Sequence, residues 1–189
     1  MSSIVRPAER LLWALEATGI EYALVGSVAS SAFGEPRATM DIDMVARLTK
    51  PLLERLGKLL GADYYFDLET AEAALRPGGS FNIVSMQSVT KFDFFPIEGD
   101  AFGTSQLARR RMAKVDFLSD VEVPVASPED IVLAKLRWYD LGGRTSERQW
   151  SDILGVLRVQ SGKLDWGYIE EWGPRLGVVE LVMKLPRYT

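Results

Sequence analysis

Asp41 and Asp43 flank Ile42 in a stretch, residues 41–46, whose side chains alternate in the manner of a β-strand. On a strand, residues two apart point the same way, so both carboxylates leave one face. Like charges held that close repel, and each raises the other's pKa unless a cation sits between them. The pair therefore suits a divalent ion that prefers hard oxygen ligands. A third carboxylate, Asp93, stands in Lys91-Phe92-Asp93-Phe94-Phe95. If that strand neighbours the first, Asp93 completes a cluster of three. Gly26-Ser27 follows a short apolar strand and opens a small-residue helix. A glycine there lets the backbone approach a ligand closely, helix N-terminal N–H groups favour phosphate, and the serine hydroxyl adds a donor. Taken singly, each feature has a plainer reading: a solvent-facing strand edge, an exposed strand aspartate, a glycine turn with a serine cap.

Composition narrows the chemistry. The chain has 189 residues, with 22 Lys+Arg, 26 Asp+Glu, no Cys and no His. Without cysteine there is no disulfide scaffold, thiol nucleophile or Cys-ligated zinc. Without histidine the Ser-His-Asp logic and most catalytic zinc sites are excluded. Acid–base and metal chemistry then fall to carboxylates, which suit Mg²⁺, Ca²⁺ or Mn²⁺. A net charge of −4 argues against a general nucleic-acid coat protein. The N-terminal residues lack a signal-peptide core, and no apolar run approaches the ~20 residues of a membrane span. A soluble, cytoplasmic protein is expected.

The elements that must position these residues can be read from the same chain. Helical spacing covers 9–17, and residues 22–25 read as a short strand. A small-residue helix over 28–33, a polar loop over 35–40 and the strand 41–46 follow. Thr49 is the expected N-cap of a helix running to Leu60, with Gly61 as its stop. Residues 63–67 read as a strand and 69–75 as a short helix. Residues 80–86 and 91–95 form a plausible hairpin, and 104–112 looks helical. Residues 113–118 and 121–126 are β-like, with Ser119-Asp120 as a tight turn between them. Ser127-Pro128-Glu129-Asp130 then places a cap, a first-turn proline and two acids at a helix start. Helices are expected over 128–141, 147–159, 166–175 and 178–185. The organisation predicted is an α/β body over residues 1–126, with a mixed sheet flanked by helices, and a C-terminal helical region over 127–189 packed on it.

Val25-Gly26-Ser27, then Asp41-Ile42-Asp43, then an apolar–Asp–apolar strand resembles the nucleotidyltransferase superfamily that includes DNA polymerase beta. The approach Gly34-Glu35-Pro36-Arg37-Ala38-Thr39-Met40-Asp41-Ile42-Asp43 is similar to that of small bacterial AbiEii-type, toxin-like nucleotidyltransferases. The likeness covers residues 20–45 and 92–94 and resumes at 127–136. It implies a polymerase-beta-like core in which Gly26 and Ser27 hold NTP phosphates. Asp41, Asp43 and Asp93 would be the catalytic carboxylates and the ligands of two Mg²⁺ ions, Mn²⁺ serving as an alternative. Arg37 and Lys135 would bind the nucleotide. Arg144 and Asp152 match an Arg and an acidic helix common in related tails, but Gln149-Trp150-Ser151 stands where a Lys commonly precedes the Asp.

The activity implied is transfer of an NMP from an NTP to a hydroxyl acceptor with release of pyrophosphate. The acceptor is a tRNA end, a small molecule such as an aminoglycoside, or a protein side chain. The alternative is a catalytically idle nucleotide- or partner-binding module, for instance one half of a toxin–antitoxin pair with an antitoxin partner. A phosphohydrolase metal site is a weaker third reading. Arg109-Arg110-Arg111 with Lys114 reads either as the solvated face of a helix or as an RNA-phosphate contact. Trp138, Tyr139 and Trp150 read as helix packing before base stacking. Gly26→Val is expected to block nucleotide approach while sparing the fold.

Overall fold

Alternation in residues 41–46 is realised as β2 (Asp41–Ala46), with Ile42, Met44 and Ala46 buried and Asp41 and Asp43 on the opposite face. The computed structural model describes residues 5–39, 41–88, 90–118 and 121–188. Met40 and the expected Ser119-Asp120 turn lie outside the described residues. β1 (Tyr22–Leu24) pairs antiparallel with β2, and β5 (Lys91–Pro96) pairs parallel with its other edge. The full sheet runs β3 (Tyr64–Tyr65), β4 (Phe81–Ser85), β5, β2, β1, β7 (Glu122–Val125), β6 (Arg111–Lys114). The expected β4–β5 hairpin is antiparallel, and so is the β6–β7 pair, whose first strand ends at Lys114 instead of running over 113–118.

Parity then builds the layers. Ile42, Met44, Phe92, Phe94, Phe81 and Ile83 share one face of the sheet and are buried. They join Leu11 and Leu15 of α1 (Val5–Thr18) and Leu53, Leu56 and Leu60 of α3 (Lys50–Leu60) in one core. Phe81 and Phe94 stack across the strands with centroids 5.1 Å apart. On the other face, α2 (Gly26–Phe33) packs on β2 and against α6 (Pro128–Leu141) and α7 (Glu147–Val159). Gly34 makes the α2–α7 contact possible. A Cβ there would lie 2.8 Å from the Val156 backbone nitrogen. A 3-10 turn (Gly61–Asp63), α4 (Leu68–Ala73), α8 (Trp166–Arg175) and α9 (Val179–Val182) complete the described chain. Among the described residues no helix is long and apolar enough to cross a membrane.

Two local expectations need correction. The helix expected over 104–112 is α5 (Ala101–Arg109), because Asp100 accepts from the Phe102 N–H and starts it earlier. Arg111 and Met112 belong instead to β6. Thr49 occupies the N-cap position of α3, but its side chain makes no capping hydrogen bond. The Ser127 cap forms as expected, with its Oγ accepting from the Asp130 N–H.

The three arginines of the basic run pair with acids of the fold. Arg109 lies 3.2 Å and Arg111 3.5 Å from the buried Glu129, and Arg110 lies 3.5 Å from Glu21. The Arg109 guanidinium also sits 3.8 Å above the Tyr168 ring, while Tyr168 donates to Asp130 at 2.6 Å. Two buried acids at a helix start thus bind α6 to α5, β6 and α8. A buried charge is tolerated only while paired. Glu129→Gln is expected to cost about 2–3 kcal/mol, read as a lower urea midpoint; an unchanged midpoint would show that the pairing contributes nothing.

Candidate active site

The register of two neighbouring parallel strands creates the site. Asp41 stands opposite Lys91 and Asp43 opposite Asp93, all on the face away from the aromatic core. The three sequence-selected carboxylates therefore come from adjacent positions of β2 and β5. Burial pushes the Asp43 carboxyl up from its ordinary 3.8 to about 6, and the charges of Asp93 and Asp41 add to this, against Lys135 and Lys91. Asp93 is engaged by the Lys91 ammonium at 2.8 Å, a strand i,i+2 pair like Asp41 and Asp43. That hydrogen bond raises the Lys91 pKa. Among the described residues, no three acidic side chains form a ready-made metal cage.

Gly26 borders the same spot. Its φ is +62°, and a Cβ there would lie 2.1 Å from Asp43 Oδ2. The Val25 N–H also donates to the Asp43 carbonyl at 2.9 Å. The glycine is thus required by the protein itself, apart from any ligand. The expectation that Gly26→Val spares the fold is corrected on this ground.

The cations converge on a buried acid. Arg37 donates to both Asp152 oxygens, at 2.8 and 3.0 Å, and its second terminal nitrogen also donates to Ser27 Oγ. Lys135, 4% exposed, donates to Asp152 at 2.7 Å and to Gln149 at 3.1 Å. Burial would raise the Asp152 pKa, yet Arg37 and Lys135 hold it below the ordinary value. Burial lowers the Lys135 pKa against the pull of Asp152. Ser27, Arg37 and Lys135 are therefore brought together, and Asp152 is the residue that gathers them. A carboxylate on the apolar stripe of α7, four residues before Val156, was the signal in the sequence. Arg144 is not part of this group: it pairs with Asp140 at 2.7 Å and Glu180 at 3.5 Å on the surface.

No family model matches the sequence. Solved structures do resemble the fold over nearly its full length. An antigenic nucleotidyltransferase-like protein from Paracoccidioides brasiliensis superposes with a TM-score of 0.57 at 16% identity, covering 100% of this chain and 96% of that one. The chain has the nucleotidyltransferase fold. The antibiotic-resistance factor ANT(2'')-Ia is similar in solution, with a TM-score of 0.55, 14% identity, and 96% and 95% of the two chains covered. Its complex with adenylyl-2''-tobramycin gives 0.56 at 12% identity, covering 93% and 98%. The seven-stranded mixed sheet flanked by helices is the architecture expected from the sequence.

Burial and the acidic neighbours of Asp43 have a measurable cost whenever no cation is bound. An acid whose pKa is raised on folding destabilises the native state above that pKa, and the cost vanishes below the unfolded value. Asp43→Asn is therefore expected to raise metal-free stability by roughly 1–3 kcal/mol at pH 7, with the gap closing as pH falls from 6 to below 4. Thermal melts in chelator across that range check it; a gap independent of pH would contradict it. Gly26→Ala is expected to lose about 2 kcal/mol or more through its positive φ and the contact with Asp43, measurable in the same melts.

Proposed function

We propose that this chain transfers a nucleoside monophosphate from a nucleoside triphosphate to a hydroxyl acceptor, releasing pyrophosphate. The observation that carries this reading is the Asp43–Asp93 register with Gly26 and the start of α2 directly against Asp43. The free N–H groups at the start of α2 suit the β- and γ-phosphates. Ser27, Arg37 and Lys135 stand beside them. Lys135 already interacts electrostatically with Asp43, so it bridges the phosphate and carboxylate halves of the site.

Asp41, Asp43 and Asp93 would hold Mg²⁺, or Mn²⁺ in its place. The donor set fits: hard oxygens on one sheet face, with Asp43 raised in pKa by burial and by its acidic neighbours. When bound, the ions supply Lewis-acid activation of the acceptor oxygen and neutralise the charge developing on the leaving pyrophosphate. For the chain's own residues, the sequence of events is simple. Lys91 must leave Asp93, freeing its carboxylate to take the proton of the acceptor hydroxyl. The acceptor oxygen bonds to the α-phosphorus as the bond to the bridging oxygen breaks. Arg37 and Lys135 stabilise the departing pyrophosphate in a site where positioning and electrostatics do most of the catalysis.

The neighbour crystallised with adenylyl-2''-tobramycin supports a hydroxyl acceptor. A toxin-like role and an antitoxin partner remain part of the sequence reading alone. Incubating α-labelled NTPs and Mg²⁺ with total tRNA, aminoglycosides and the protein itself tests the activity. Asp43→Asn and Asp93→Asn are each expected to reduce transfer at least about a hundredfold while staying folded. Undiminished transfer by either variant would overturn the mechanism, and a nucleotide-binding wild type that transfers to nothing would favour the idle module.

A further inference from the structure

Half of the sheet leaves its carboxylate-bearing face open. Asn82 stands directly across from Asp93, and Val84 across from both Lys91 and Tyr65. Asn82 and Tyr65 are exposed, whereas the side chains alternating with them are buried in the aromatic core. Phe95, two residues beyond Asp93, shares this face. Trp138 leans over it from α6, with ring centroids 6.4 Å apart at 58°, and remains 55% exposed. Tyr139 and Trp150, by contrast, pack on each other at 5.3 Å, as helix packing requires. Trp138 thus packs on Phe95, as the helix-packing expectation has it, while leaving much of its ring open.

Strand order fixes which side of the reaction this aromatic pair can serve. Gly26 follows β1, on one side of β2; Asp93 and Phe95 belong to β5, on the other. In an in-line displacement the attacking group lies opposite the leaving group. With pyrophosphate at Gly26, Ser27 and Arg37, the attacking hydroxyl comes from the β5 side. Trp138 is one helical turn beyond Lys135 on the same side of α6, so it borders that approach.

We infer that Trp138, backed by Phe95, is the wall against which the acceptor's ring lies. This rests on the nucleotidyl-transfer reading above. The occupant is a small, uncharged or cationic molecule carrying a hydroxylated ring. Charge decides this against a nucleic-acid strand. The residues framing the approach are Asp41, Lys91, Asp93, Asn82, Tyr65 and Trp138, and Lys91 is already paired with Asp93. The arginine run that would contact phosphates is engaged by Glu129 and Glu21. A polyanion needs several such cations, whereas a sugar-like ring needs an aromatic face and hydrogen-bonding edges.

The test uses the full chain, Mg²⁺ and α-labelled ATP with three probes: an aminocyclitol antibiotic, adenosine and total tRNA. Label is expected on one or both small rings and not on tRNA. Trp138→Ala should raise the KM of the labelled small acceptor about tenfold or more. Trp138→Phe should restore most of it, and calorimetry should find MgATP affinity unchanged in both variants. A wild type that binds MgATP but labels tRNA alone, or none of the three, overturns the acceptor class. An unchanged acceptor KM in Trp138→Ala, or an equal loss of MgATP affinity, overturns the role of Trp138. A wild type that fails to bind MgATP defeats the nucleotidyl-transfer reading itself, which calorimetry reads separately from the acceptor assay.

Discussion

The rest of the site depends on a repulsion. Asp41, Asp43 and Asp93 share a face because β2 and β5 are parallel, adjacent and in register. Their aromatic counterparts on the opposite face lock that register, since a slip by one residue would expose Phe92 and Phe94 and bury the acids. The hydrophobic core thus holds like charges together against their own field. Lys91 offsets part of this by lying against Asp93. Gly26 is drawn so close to Asp43 that a single added carbon is excluded. The start of α2 and the acids of β2 and β5 are thereby brought side by side.

A second interaction ties the helical region to that point. Asp152 on α7 receives Arg37 from the loop before β2 and Lys135 from α6, and Arg37 reaches on to Ser27. Buried acids attract buried bases because neither is tolerable alone. Arg37 and Lys135, the cations assigned to the triphosphate in the proposed function, are thereby held in fixed positions. Preorganised charge of this kind avoids reorganisation during reaction. The Glu129–Asp130 cluster performs a similar office at the start of α6, tying it to α5, β6 and α8.

Much of this was legible in the sequence because period and charge are local signals. Alternation around Asp41 gave both the strand and the shared face, and Ser127-Pro128 marked the start of α6 to the residue. What escaped was set by tertiary contact. Nothing local to Gly26 reveals the Asp43 carboxylate against it. Asp100 as a cap, and hence the true start of α5, was masked by the glycine-containing stretch that follows it. The exposure of Trp138 depends on the sheet stopping short of helical cover, which no window of sequence records. Lys91 was readable in principle by the same i,i+2 rule that paired Asp41 with Asp43.

In the proposed function the carboxylates and the Gly26-Ser27 turn form a single site for a metal-bound triphosphate. Titrating Mn²⁺ into the chain by electron paramagnetic resonance, with and without tripolyphosphate, addresses it most directly. Weak binding that tightens at least about tenfold when tripolyphosphate is present is the result predicted, because each ligand relieves a charge that the other presents. Equal Mn²⁺ affinity in both titrations would contradict it.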